Sequence, residues 1–164
     1  MPADFVTLLR RDHCDLQQEL TKLLEPTATV AELRSSLDGV RLGLMAHAEA
    51  EDIVLARFES VPELQVLVAQ ARAAHLAQEG ALSALVTARP ATMGWRDRAR
   101  HLRELVAYHA RQEETHLMDA LRAHAGPLEL QQLAGAFATE RLRQLAMMQP
   151  SAPAFMPFTI ASAM

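Results

Sequence analysis

Apolar residues recur along the chain with a helical rather than an alternating period: Val6, Leu9, Leu16, Leu20 and Leu23 in one stretch, Leu102, Leu105, Val106, Leu117 and Leu121 in another. Prolines at positions 26, 62, 90, 127 and 150 punctuate that pattern, each where a helix would stop or start. The spacing predicts five helices, over 4–24, 30–59, 63–88, 95–123 and 128–147. Thr29 and Thr92 are expected as N-caps, and Gly126 followed by Pro127 reads as a stop and a first-turn start. Short connections force neighbouring helices antiparallel. The expected fold is therefore all-α: an up-down-up-down four-helix bundle over residues 1–126, with an additional C-terminal helix and an apolar tail over 127–164. Gly39 and Gly43, inside the second helix, are read as tolerated glycines costing about 1 kcal/mol each relative to Ala.

Composition narrows what such a bundle can do. The chain has 164 residues, 50% of them apolar, enough for one domain with a sizeable core. Its net charge is -4 and its basic residues are scattered, so no stripe exists to grip a phosphate backbone, and nucleic acid is not an expected partner. A single cysteine, Cys14, excludes an internal disulfide and fits a reducing, cytoplasmic compartment. No apolar run reaches the roughly 18 to 20 residues that cross a bilayer, and the first residues lack a signal-peptide layout, so no membrane partner is expected either. What stands out is seven His against one Trp and one Tyr.

Their placement is informative. Shifting the sequence by 62 residues brings His13 onto His75, His47 onto His109 and Glu51 onto Glu113, with Ala48 on Ala110, Asp52 on Glu114 and Leu55 on Leu117. The first helix pair thus maps onto the second. Packing alone requires only that apolar positions repeat; superposed titratable residues ask for another reason. Residues four apart share a helix face, so His47 with Glu51, and His109 with Glu113, can each aim an imidazole and a carboxylate at one point. His13 and His75 then complete a set of four imidazoles and two carboxylates inside the bundle. Left unpaired, such groups would cost a few kcal/mol each, which a metal centre offsets.

Imidazole with carboxylate suits iron, manganese or zinc. Six ligands in two equivalent halves suit two ions, with Glu51 and Glu113 placed to bridge. Four nitrogens, four carboxylate oxygens and one shared bridging oxygen fill about ten of twelve octahedral positions, leaving room for a small molecule. Glu79, four residues after His75, is a possible further ligand, or with Gln17 an outer partner facing the same interior. His101 and His124 are expected at the surface and His116 in packing or in a hydrogen bond to a ligand. Cys14, about 100° around the helix from His13, is not expected to ligate, and Tyr108 is read as a helix-interface residue.

The set Asp12-His13, His47-x-x-x-Glu51-Asp52, His75 and His109-x-x-x-Glu113-Glu114 resembles the hemerythrin-like (HHE cation-binding) family over about residues 4–123. The resemblance implies a left-handed four-helix bundle around two non-haem irons with a bridging oxo or hydroxo group. His13, His47, Glu51, His75, His109 and Glu113 would be the ligands, and dioxygen or a similar small molecule the partner. Oxygen carriers of that family have a fifth His where Glu79 stands here, and their last carboxylate is an Asp five residues after its His. Both departures favour sensing or redox chemistry over reversible carriage, and no catalytic residue is assigned. Two other readings compete. A ferritin-like oxidase needs two Glu-x-x-His motifs, and only Glu113 to His116 supplies one. An interaction module would use the apolar stripe Leu130, Leu133, Phe137, Leu142 and Leu145 and the uncharged stretch from Pro150, through which a homodimer could form.

Overall fold

The computed structural model of the chain describes residues 3–149, so the tail from Pro150 to Met164 lies outside it. Helix α1 (Phe5–Lys22) starts at Asp4, whose carboxylate accepts the Thr7 backbone N–H at 2.8 Å. Helix α2 (Val30–Leu55) opens on a reciprocal capping box between Thr29 and Glu32 and closes in a tight 3-10 turn, Ala56–Phe58. Helix α3 (Pro62–Val86) carries Pro in its first turn, where the missing N–H costs nothing. Helix α4 (Met93–Gln112) is capped by Thr92, runs through a wide π turn (Glu113–Leu117) and continues as α5 (Met118–His124). Helix α6 (Pro127–Met148) follows Gly126. Both expected threonine caps are present, and among the described residues the 3-10 turn and the π turn were not foreseen.

Buried positions show why these segments form a bundle. In α3 they fall at Leu64, Val68, Ala71, His75, Gln78, Leu82 and Leu85, alternating by four and three, the seam of a left-handed pack. The same alternation runs through Leu33, Leu37, Val40, Leu44, His47, Glu51 and Val54 of α2. In α4 it runs through Trp95, Ala99, Leu102, Val106, His109 and Glu113, and then breaks. His116 should come next, but the π turn inserts one residue, so Leu117 takes the inward place and His116 turns out to solvent.

The helices close a ring: α1 packs on α2 and α4, and α3 on α2 and α4. Two apolar clusters fill it. One gathers Leu16, Leu20, Leu23, Leu33, Val40, Leu82, Trp95 and Leu102; the other gathers Phe5, Leu9, Val54, Phe58, Leu64, Leu117 and Met118. Each fully buried Leu or Phe contributes about 1.5–3 kcal/mol of transfer free energy. Between the clusters the seam residues are His and Glu, with Gln78 on α3, instead.

Helix α6 lies against α1 and α2 and joins the second cluster through Leu130, Leu133, Ala134 and Phe137. The expected stripe continues differently: Leu142 is exposed, and Arg141 and Gln144 take the inward side of the last turns. No helix among the described residues is long and apolar enough to cross a membrane.

Candidate metal centre

Four helices each deliver one imidazole to the layer between the clusters: His13 from α1, His47 from α2, His75 from α3 and His109 from α4. All are 6% exposed or less, and Glu51 and Glu113 beside them are equally buried. Ring centroids lie 4.7 Å apart for His75 and His109, 5.1 Å for His13 and His47, and 6.0 Å for His13 and His109. His47 Nε2 stands 3.2 Å from Glu51, His13 Nε2 3.1 Å from Glu113, and His109 Nε2 3.4 Å from Glu113. One ligand atom each from His13, His47, Glu51 and His109 falls within 4.8 Å of the others. His75 joins them, its Nε2 3.0 Å from that of His109 and 3.8 Å from Glu51.

Apart from the contact between His75 and His109, these atoms are close without being paired. The Nε2 atoms of His13 and His47 and all four carboxylate oxygens of Glu51 and Glu113 are buried with no hydrogen-bond partner. Each such orphan costs about 1–3 kcal/mol, more when charged. Lone pairs that crowd a common centre instead of meeting donors head-on are what a cation would satisfy. Nitrogen and oxygen donors in this mixture fit a transition metal, and no thiolate contributes.

The opposite ring nitrogens are anchored. Asp12 meets His47 Nδ1 at 2.8 Å, Asp52 meets His75 Nδ1 at 2.9 Å, and Glu114 meets His13 Nδ1 at 3.4 Å. A carboxylate behind Nδ1 fixes the tautomer and leaves Nε2 free to bind, the arrangement usual behind metal-bound imidazoles. Asp52 and Glu114 are repeat partners, so this support is duplicated with the ligands. Asp12 is an addition of the first half.

The protein alone balances its charges by proton. Burial opposes charge on His47, but its hydrogen bond to Asp12 and the attraction of the Glu51 and Asp12 carboxylates outweigh it and push the imidazole up to about 9. Burial, joined by repulsion from His75, His47 and His13, pushes His109 down to about 3. His13 is lowered by burial and by the neighbouring His47. Despite burial, Glu51 stays well below its ordinary value because Glu113, His47 and His75 surround it; Glu113 is raised well above by burial and by the charge on Glu51. Asp12, buried yet facing His47 and Arg141, is held low.

Several expectations resolve differently. Glu79 is exposed at the mouth of a small cleft between α2 and α3, beside His75 and Asp52, and is not in the cluster. The inward residue of that turn is Gln78, 1% exposed and with both amide atoms unpartnered. The four-three alternation after Ala71 and His75 points to Gln78, so the signal was present in the seam spacing. His101, His116 and His124 are all exposed, which corrects the expected packing role of His116, and His124 pairs with Glu63 at 3.3 Å. Cys14 is exposed. Tyr108, 58% exposed, is no interface residue; it lines a cleft between α3 and α4 that reaches His109 and Glu113. That cleft, of about 360 Å³, is walled chiefly by Leu67, Ala71, Ala74 and Leu105.

A family model for the hemerythrin HHE cation binding domain matches residues 4–121, and the chain belongs to that family. No curated protein and no solved structure matches it.

Proposed function

We propose that this member of the hemerythrin HHE cation-binding family holds two non-haem irons and acts on, or senses, dioxygen or a related small molecule. The observation that carries the reading is the ring of six buried residues, four imidazoles and two carboxylates, in which the Nε2 atoms of His13 and His47 and all four carboxylate oxygens lack partners. His13, His47, Glu51, His75, His109 and Glu113 would hold the metal, the two carboxylates placed between the half-sites. When bound, a pair of irons supplies electron-transfer chemistry toward small oxidants. The chain's own part is to fix each Nε2 through Asp12, Asp52 and Glu114, to exclude bulk water with the two apolar clusters, and to leave an apolar cleft leading to His109 and Glu113.

The exposed His116 speaks against a ferritin-like oxidase, because Glu113-x-x-His116 is broken by the π turn and delivers only its Glu to the interior. Iron analysis of protein from iron-supplemented cells tests the proposal: about two irons per chain are expected, with a near-ultraviolet absorption band. Less than about one transition metal of any kind per chain refutes it.

A further inference from the structure

Helix α6 lies beyond the residues matched by the family, yet it reaches the metal centre. The guanidinium of Arg141 grips Asp12 with two nitrogens, Nε at 3.0 Å from Oδ2 and Nη2 at 2.9 Å from Oδ1. The same Oδ2 accepts from His47 Nδ1 at 2.8 Å. Four residues before Arg141 on α6, Phe137 sets its ring edge-on to His47 with centroids 6.0 Å apart.

An exposed ion pair between two helices would matter little. Here the carboxylate is 9% exposed and stands directly behind a ligand imidazole. A carboxylate held by a planar two-pronged donor cannot swing, and the imidazole bonded to it keeps its tautomer and aim. Arg141 thus acts on the metal site at one remove.

We propose that Arg141 is a positioning residue for the metal centre, acting through Asp12 on His47, and that docking of α6 is linked to occupancy of the centre. The proposal rests on the metal-binding reading above. Linkage is reciprocal: if a docked α6 strengthens metal binding, bound metal stabilises the docked α6 by the same factor.

The test is anaerobic titration of the full chain with ferrous iron, combined with amide hydrogen exchange of α6 with and without iron. In the wild type, iron is expected to raise protection across 137–145. Arg141→Ala should abolish that rise and weaken iron binding by about 10- to 100-fold, the range for lost support behind a metal ligand. Arg141→Lys should recover part of the affinity, and it carries the same test if Arg141→Ala does not fold. Leu133→Ala, which loosens α6 away from Asp12, should lower protection overall but keep the rise on adding iron. Wild-type iron affinity and spectrum in both Arg141 variants would overturn the proposal, as would iron binding by the wild type with no change in α6. Failure of the wild type to bind iron overturns the metal reading itself and the linkage with it.

Discussion

Equivalent grooves flank the two halves of the duplicated unit, one between α1 and α2, the other between α3 and α4. Phe137 covers the first over His47, in company with Phe5, whose ring centroid lies 5.6 Å away. The second is open over His109, a cleft of about 360 Å³. Repeat partners explain the opening: Leu9 and Asp12 on α1 correspond to Ala71 and Ala74 on α3, and both alanines line the cleft. Large and charged side chains fill and anchor one half while methyl groups leave space in the other. Six candidate ligands related by the repeat therefore sit in an asymmetric setting, with one half filled and the other open.

The largest effects should come from the ligands, and they can break the comparison. His47→Ala and His109→Ala should each remove most of the bound iron if both halves are needed to form the centre. Iron content at the wild-type level in either variant would refute that residue as a ligand. Loss of about half the iron in each variant would show that the halves bind independently.

Next come the two grooves. Phe137→Ala should cost about 3–5 kcal/mol in denaturant unfolding, since a 2%-exposed ring packed on Phe5 and His47 leaves a cavity. Ala74→Leu should change stability by less, about 1–3 kcal/mol in either direction, because the added methyl groups enter open space or crowd its wall. Its informative effect is kinetic: stopped-flow oxidation of the ferrous protein by dioxygen should slow. An unchanged rate would mean that the α3–α4 cleft is not the route.

How far the sequence foretold this follows from the same residues. The 62-residue shift singled out the six candidate ligands because duplicated polar residues carry no packing explanation, and it paired Asp52 with Glu114 without revealing that they stand behind His75 and His13. Helix ends were legible at Thr29, Thr92 and Pro127, where capping chemistry is local. The π turn was not legible: Glu113–Leu117 contains neither Gly nor Pro, and only the inward shift from His116 to Leu117 betrays it. Nor was the link from Arg141 to Asp12, which spans 129 residues and depends on how α6 docks. Glu79 misled because a four-residue spacing and a three-residue spacing both return to roughly the same face, and the seam chose the latter.

That seam supplies a smaller test of the asymmetry. Gln78 is the repeat partner of Leu16, so one half packs an aliphatic side chain where the other buries an unpartnered amide. Gln78→Leu should stabilise the metal-free protein by about 1–2 kcal/mol, read from thermal or denaturant unfolding, because the orphaned amide is removed. Destabilisation would show that the amide is satisfied, and that this turn of α3 contributes to holding the half it was assigned to leave open.

The smallest difference lies at the helix starts. Asp4 caps α1 through the Thr7 N–H, whereas α3 begins at Pro62 with no side-chain cap. Asp4→Ala should therefore cost about 1 kcal/mol at neutral pH. The cost should depend on acidity. Donation from the Thr7 backbone is the chief cause that holds the Asp4 carboxyl below its ordinary value. Its stabilisation is accordingly complete above the unfolded-state value, near 3.9, and fades as pH falls through the lower folded-state value. Wild type and variant should converge in acid, diverge as pH rises towards about 4, and keep a constant gap above it. A gap that stays constant through that window would mean that Asp4 acts through the shape of the first turn and not through its charge, leaving the starts of α1 and α3 energetically alike in kind.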